Sequence, residues 1–159
     1  MTFQIKPISD SDREIISNLM KEFWGSEIVV AHGDVYTTRH LPGFKAIKEE
    51  KVVGFLHYQI RGKECEIITL ASSDEGIGIG SGLIAAIEET ARVENCKKLT
   101  LITTNDNLHA LGFYQRRGFH LTELCPGQIK ESRKLKPSIP EIGLDNIPIR
   151  DEIHLEKKL

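Results

Sequence analysis

Alternating and helical periods divide the chain into short strands and amphipathic helices. Residues Phe3–Pro7 alternate apolar and polar side chains, which predicts a first strand. A capping-box pattern at Ser11–Glu14 precedes apolar residues at helical spacing, and Gly25 is a suitable C-cap for that helix. The stretch 26–43 has no clear period and is rich in polar side chains. We therefore predict an irregular segment there, close to a functional site.

Three strands follow in direct succession. The pattern predicts them at Phe44–Glu49, Val52–Ile60 and Glu64–Ala71. Only two or three residues separate each pair, at Glu50-Lys51 and at Arg61–Lys63. Connections this short join antiparallel neighbours, so the three strands should form an antiparallel meander.

The pattern then changes to a glycine cluster at 76–82 that leads into a helix. Its apolar face is made of Leu83, Ile87 and Ala91, and the helix should end near Asn95. Residues Lys98–Thr103 form the next predicted strand. A strand, a helix and a second strand in this order predict a right-handed crossover between parallel strands.

The last third of the chain predicts a further helix and two more strands. Asn105–Asn107 supplies cap residues for the helix, and strands are expected at Phe119–Leu124 and Glu152–Lys158. Between them, the proline-rich segment 125–148 contains a possible short helix at Ile129–Leu135. The predicted fold class is α/β (α+β): a mixed, mostly antiparallel sheet with a central parallel strand pair and helices on both faces.

Composition and charge narrow the classes of protein. The 159 residues suit one domain with a hydrophobic core, and hydrophobic residues make up 40%. The net charge is −2 with acids and bases interspersed, which argues against a general nucleic-acid binder. The sequence has no apolar run of about 18 residues, so no membrane span is predicted.

Cysteine and histidine usage gives no sign of a metal or disulfide framework. Cys65, Cys96 and Cys125 are far apart and odd in number, which predicts free thiols in a reducing cytoplasm. The six histidines are dispersed without an H-x-x-x-H pair, so we predict no metal site.

The glycine cluster has the features of a phosphate-binding loop. Alternate glycines at Gly76, Gly78 and Gly80 come directly before a helix, whose first N–H groups and dipole attract anions. The spacing does not match the dinucleotide pattern G-x-G-x-x-G, because Ser81 and Leu83 stand where a third glycine is needed. A Walker loop is also excluded, since no Gly-Lys-Ser/Thr follows.

Two segments carry a resemblance to a known family. Gly78-Ile79-Gly80 resembles the Q/R-x-x-G-x-G/A loop of the GNAT N-acetyltransferases, with Glu75 in the Q/R position. Residues 107–119 are similar to the family segment N-x-x-A-x-x-F-Y-x-x-x-G-F, and the matches are Asn107, Ala110, Phe113, Tyr114, Gly118 and Phe119. The resemblance covers about Phe3 to Leu124.

The resemblance implies acetyl-coenzyme A (acetyl-CoA) as cofactor. The main-chain amides of the loop would hold its pyrophosphate, the end of the third meander strand would contact pantetheine, and the Leu70 N–H would stabilise the oxyanion. The implied cofactor-binding residues are Leu70, Ala71, Ser72, Glu75, Gly76, Ile77, Gly78, Ile79, Gly80, Ser81, Asn107 and Tyr114.

The resemblance also assigns candidate catalytic residues. Tyr114 would lie beside the sulfur of CoA as general acid, although a packed aromatic residue is the alternative. Glu64 and Glu66 share one face of a strand and are candidate general bases; a solvated carboxylate or a contact to a cationic acceptor is equally consistent. His57 is a weaker candidate base.

The acceptor side is less defined. His32, Tyr36 and Arg39 from the irregular segment, with His57, are candidate substrate-binding residues, and surface polarity is the simpler alternative. The predicted function is acetyl transfer to a primary amine of a small molecule or peptide, by direct attack. The alternative is a non-catalytic acyl-CoA-binding module on the same fold. A homodimer is the common state of such enzymes, but the sequence leaves it open.

Overall fold

Nine strands and four α-helices form in the part of the chain that a computed structural model describes, residues 2–74 and 76–159. The chain divides into two compact units. The first unit contains the chain up to Val29, together with Thr37–Leu99 and Leu159. The second unit contains Val30–Tyr36 and Thr100–Lys158. In chain order the elements are β1 (Gln4–Pro7), α1 (Arg13–Trp24), β2 (Ile28–Ala31), β3 (Asp34–Thr37), β4 (Gly43–Lys48), β5 (Lys51–Arg61), β6 (Glu64–Ser72), α2 (Ile79–Val93), β7 (Lys98–Thr104), α3 (Leu108–Arg116), β8 (His120–Cys125), α4 (Gln128–Leu135) and β9 (Glu152–Lys158).

The first unit contains the predicted antiparallel meander. Its strands follow the order β1-β4-β5-β6, and every pairing among them is antiparallel. Tight connections make this possible, because Glu49, Glu50 and Gly62 all take positive φ angles in the two turns. The meander prediction is confirmed, with strand ends shifted by at most one residue.

Helix α1 packs against the sheet of the first unit through a narrow apolar stripe. Ile16 and Met20 are buried in one cluster with Phe55 and Ala71. Gly25 ends the helix in the left-handed conformation, as predicted.

The predicted start of α1 needs a correction. The capping box is formed by Ser9 and Asp12, ahead of a short 3₁₀ turn, and not by Ser11–Glu14. The Asp12 carboxylate accepts the Ser9 N–H at 2.8 Å and also pairs with Lys45 at 2.6 Å. The ion pair with Lys45 favours Asp12 as the acidic residue of the capping box. Lys45 is far away in the sequence, so local spacing alone does not reveal this.

The segment 26–43 is the largest difference from the prediction. It contains a two-stranded hairpin of β2 and β3, followed by a 3₁₀ turn at Thr38–His40, where we predicted an irregular stretch. His32 and Gly33 form its turn with φ values of 56° and 75°. The strands are only four residues each, which is too short for a period of two to stand out.

The second unit has the strand order β7-β9-β8, and β8 pairs with β9 in antiparallel orientation. The proline-rich segment contains α4, which matches the predicted short helix with one extra residue. The sheet is mostly antiparallel with a parallel pair, so the predicted fold class is confirmed. No helix among the described residues is long and apolar enough to cross a membrane.

Candidate functional site

The glycine loop enters α2 in a conformation that favours glycine. Gly76 and Gly78 have φ values of 83° and 89°, and Gly78 is the N-cap residue of the helix. The first helical bond joins the Gly82 N–H to the Gly78 carbonyl at 2.9 Å. The helix therefore begins at Gly78, and the N-terminal end of a helix is where an anion binds.

Space beside this loop is open. A Cβ built on Gly76 or on Gly78 meets no described atom within 4 Å. A phosphate can therefore approach the main chain closely, which a larger side chain would block. Glu75, the residue at the Q/R position of the motif, lies outside the described residues.

The first turns of α2 pack closely against the sheet of the first unit. Ile79 is 1% exposed, and Leu83 and Ile87 are fully buried. A Cβ added to Gly54 of β5 would lie 2.8 Å from Ile79 Cγ2 and 2.9 Å from the Ala71 carbonyl oxygen. Gly54 thus lets the helix start and the end of β6 meet, which fixes where the loop N–H groups point.

The carboxylates Glu64 and Glu66 lie on the less buried side of β6. Burial alternates along the strand, with Cys65, Ile67, Thr69 and Ala71 buried. Glu64 pairs with Lys98 at 3.0 Å and its side chain is 54% exposed. Glu66 is half-buried.

His57 lies inside the first unit and beside a β-bulge. The registers His57↔Thr69 and Tyr58↔Ile67 leave Ile68 as the extra residue of β6. The imidazole Nδ1 lies 2.7 Å from the Thr69 hydroxyl. Burial, with Arg13 nearby, lowers the pKa of His57 to about 4, so the ring is neutral at pH 7.

The candidate acceptor residues occupy three different environments. Arg39 binds the Glu27 carboxylate with two hydrogen bonds of 3.0 and 3.2 Å, and Glu27 also accepts the Ser17 hydroxyl. Tyr36 is buried in the second unit. His32 lies in the same unit, with its ring edge against that of His154 at 5.0 Å between centroids.

Helix α3 carries the second motif. The Asn107 side chain accepts the Ala110 N–H at 3.1 Å, which makes it the N-cap. Tyr114 is 9% exposed, and its ring packs edge-on against Phe113 and Phe119. Burial raises the pKa of Tyr114, so the phenol is protonated at neutral pH.

Residues 13–119 match the model of the Acetyltransferase (GNAT) family. The chain belongs to this family. The match spans both motifs and the strands between them, so the resemblance seen in the sequence is confirmed. Membership makes the protein an acetyltransferase by family, and it agrees with acetyl-CoA as the cofactor.

Three similar proteins place this GNAT chain among its relatives. YxbD, an uncharacterized protein of Bacillus subtilis (strain 168), is 39% identical over 98% of each chain. A GNAT acetyltransferase of Elizabethkingia anophelis with acetyl-CoA bound is 20% identical with a TM-score of 0.72, over 99% of this chain and 98% of that one. Arabidopsis thaliana Naa50, in complex with the bisubstrate analogue CoA-Ac-MVNAL, is 18% identical with a TM-score of 0.74 over both full chains.

Two residues beside the second GNAT motif were missed by sequence reasoning. Asn105 Oδ1 accepts the N–H groups of Arg150 and Asp151, at 2.9 and 3.0 Å. Asp106 is 4% exposed and accepts the Leu144 N–H at 3.0 Å. We predicted both as helix caps; instead they hold the proline-rich segment at the end of β7. Partners about 40 residues away leave no local signal.

Proposed function

We propose that the protein transfers the acetyl group of acetyl-CoA directly to a primary amine of a small molecule or peptide. The observation that carries this proposal is the glycine N-cap of α2, with open space beside Gly76 and Gly78 and a rigid seat at Gly54. This arrangement suits a pyrophosphate, and the GNAT family uses acetyl-CoA as its acyl donor.

We propose the cofactor contacts that the family resemblance implies. Main-chain N–H groups of 76–81 hold the pyrophosphate, and Leu70, Ala71 and Ser72 at the end of β6 face the pantetheine arm. Asn107 contributes from the start of α3. Acetyl-CoA supplies an activated thioester carbonyl, and the Leu70 N–H donates to its oxygen as negative charge develops there.

A carboxylate of β6 removes the proton from the amine. An alkyl ammonium has a pKa of about 10, so a base is needed at neutral pH. Glu66 is the better placed of the two candidates, because it is half-buried on the strand that also carries Leu70. Glu64 is largely exposed and already paired with Lys98, which suits a contact with a cationic acceptor.

Tyr114 donates its hydroxyl proton to the sulfur that leaves. Burial keeps the phenol protonated at neutral pH, as a donor must be. Its ring is held edge-on between Phe113 and Phe119, which restricts the direction of the hydroxyl. A fixed donor costs little reorganisation when charge develops on the sulfur.

We propose acceptor contacts from the segment 26–43 and from His57. His32, Tyr36 and Arg39 are proposed to line the acceptor side. His57 is a neutral, buried ring, so we propose that it shapes the site instead of binding an anion. Among the similar structures, Arabidopsis thaliana Naa50 is in complex with the bisubstrate analogue CoA-Ac-MVNAL, which supports a peptide as one of the two proposed acceptor classes.

The thiols support a reducing compartment. Cys65, Cys96 and Cys125 are all free. Burial raises the pKa of Cys65 to about 12, which makes it an inert core residue. We propose on this basis that the protein works in the cytoplasm.

The experiment is to follow the release of free CoA thiol from acetyl-CoA in the presence of a panel of amines. The panel includes polyamines, amino acids, aminoglycosides and peptides with free N-termini. Release that depends on one amine class, with the acetylated product confirmed by mass, supports the proposal. Tight binding of acetyl-CoA without transfer to any member of the panel supports the non-catalytic acyl-CoA-binding module instead.

A further inference from the structure

Five side chains of types that can ligate a metal meet in the second unit, and we call them the β8–β9 cluster: His32, Glu123, Cys125, Glu152 and His154. The ligand atoms of His32, Glu152 and His154 all lie within 4.8 Å of one another. The ligand atoms of Glu123, Cys125 and His154 also lie within 4.8 Å of one another. His154 is common to both sets.

The pairing of β8 with β9 explains how these residues come together. Cys125 lies opposite Glu152, and Glu123 lies opposite His154. Residues two apart on a strand share a face, so all four side chains lie on one face of the pair. His32 joins them from the turn between β2 and β3, with its ring against that of His154.

The distances around His154 Nε2 suit a shared ion. In tetrahedral zinc sites, two nitrogen or oxygen ligands lie about 3.3 Å apart, and nitrogen and sulfur ligands about 3.6 Å apart. Here Glu152 Oε1 is 3.0 Å from Nε2, and Cys125 Sγ is 3.6 Å from it. A cation bound at Nε2 would therefore have both atoms close to it as candidate ligands.

The burial of Glu152 and the position of Glu123 also favour a bound cation. Glu152 is 2% exposed, and a carboxylate buried to that degree is costly without a cationic partner. On the other side of the ring, Glu123 lies 3.7 Å from His154 Nδ1. A carboxylate on the second ring nitrogen is the usual way in which a protein directs Nε2 towards a metal.

We propose that the β8–β9 cluster binds a divalent cation of the zinc class through His32, Glu152 and His154, with the Cys125 thiol as a fourth ligand. Imidazole and thiolate ligands favour zinc and its neighbours over magnesium or calcium. Binding releases the thiol proton to solvent. The ion joins the turn at 32–33 to β8 and β9. This inference does not rest on the proposed acetyl transfer.

The test uses the tag-free full chain after treatment with a chelator, titrated with Zn²⁺ and, separately, with Mg²⁺. We expect one Zn²⁺ per chain, a rise in Tm of roughly 5–10 °C at about 100 times Kd, and no Tm change with Mg²⁺. In Co²⁺-loaded protein, we expect visible absorption bands of a tetrahedral site. Cys125→Ser should remove the sulfur-to-metal band in the near ultraviolet.

Variants locate the site. His154→Ala should weaken Zn²⁺ binding by roughly 100-fold or more. His32→Asn should weaken it too, and asparagine tolerates the left-handed backbone at that turn, so folding is preserved. His120→Ala is the matched control, because His120 is an exposed histidine of β8 outside the cluster. The proposal is overturned if the folded wild type shows no saturable Zn²⁺ binding. It is also overturned if His32→Asn and His120→Ala bind Zn²⁺ equally well.

Discussion

The glycine loop and the β8–β9 cluster are built in opposite ways. The loop is made of consecutive residues, 76–82, and its conformation follows from glycines placed directly before a helix. The cluster collects His32, Cys125 and His154 from three separate parts of the chain. A local motif such as the glycine loop can be recognised in the sequence alone. The β8–β9 cluster exists only after β8 has paired with β9.

The same contrast separates residues that carry a motif from those that support it. Asn107 was predicted as a cap residue of α3 from its residue type, and the structure shows that cap. Its neighbour Asp106 was assigned in the same way, yet it is buried and holds the main chain at Leu144.

The largest effect is expected at Tyr114. Tyr114→Phe should reduce kcat by roughly 10²–10⁴-fold, because the leaving sulfur loses its proton donor. Binding of acetyl-CoA should change little, which calorimetry would show beside the turnover assay. Tyr58→Phe is the matched control, since it removes a partly buried hydroxyl from β5. Equal activity in the two variants would rule out Tyr114 as the acid.

The next effect tests the glycine loop. Gly78→Glu should weaken acetyl-CoA binding by about 100-fold, or roughly 2.7 kcal/mol, because a carboxylate fills the open space and repels the pyrophosphate. Gly127→Glu is the control: Gly127 is also a helix N-cap, with a φ of 73°. An equal loss of affinity in both variants would point to general backbone strain and away from a phosphate site.

A smaller effect, on stability, is expected at Gly54, which packs against the start of α2. Gly54→Ala should lower the free energy of unfolding by about 1–3 kcal/mol, because its Cβ would clash with Ile79 and with the Ala71 carbonyl. Chemical denaturation measures this. Gly112→Ala should cost much less, since its Cβ would meet the flexible end of Arg116 on helix α3. A neutral Gly54→Ala would mean that α2 is not held there by close packing.

The smallest effect concerns the ion pair between Arg39 and Glu27. Hydrogen bonds from Arg39 and Ser17 lower the pKa of Glu27 to about 2, from an ordinary value of 4.5. The carboxylate therefore stabilises the fold above about pH 4.5, and this contribution is lost as the pH falls towards 2. Glu27→Gln should flatten the pH dependence of urea unfolding between pH 5 and 3. An unchanged slope would show that the pair contributes nothing measurable.

The sequence predicted the parts of the fold that repeat over many residues. The meander of β4, β5 and β6 and the helix α2 were found because their periods persist and their turns are marked. The hairpin of β2 and β3 was missed because each strand has only four residues. The ion pair of Arg39 with Glu27 was not predicted, because the two residues are twelve positions apart and no local pattern links them.

The most direct test of the central claim is a calorimetric titration of the full chain with acetyl-CoA, and separately with NAD and ATP. The account predicts saturable binding of one acetyl-CoA per chain and no comparable binding of the two nucleotides. No heat and no saturation with acetyl-CoA, in protein shown to be folded, would contradict it and leave the glycine loop without its ligand.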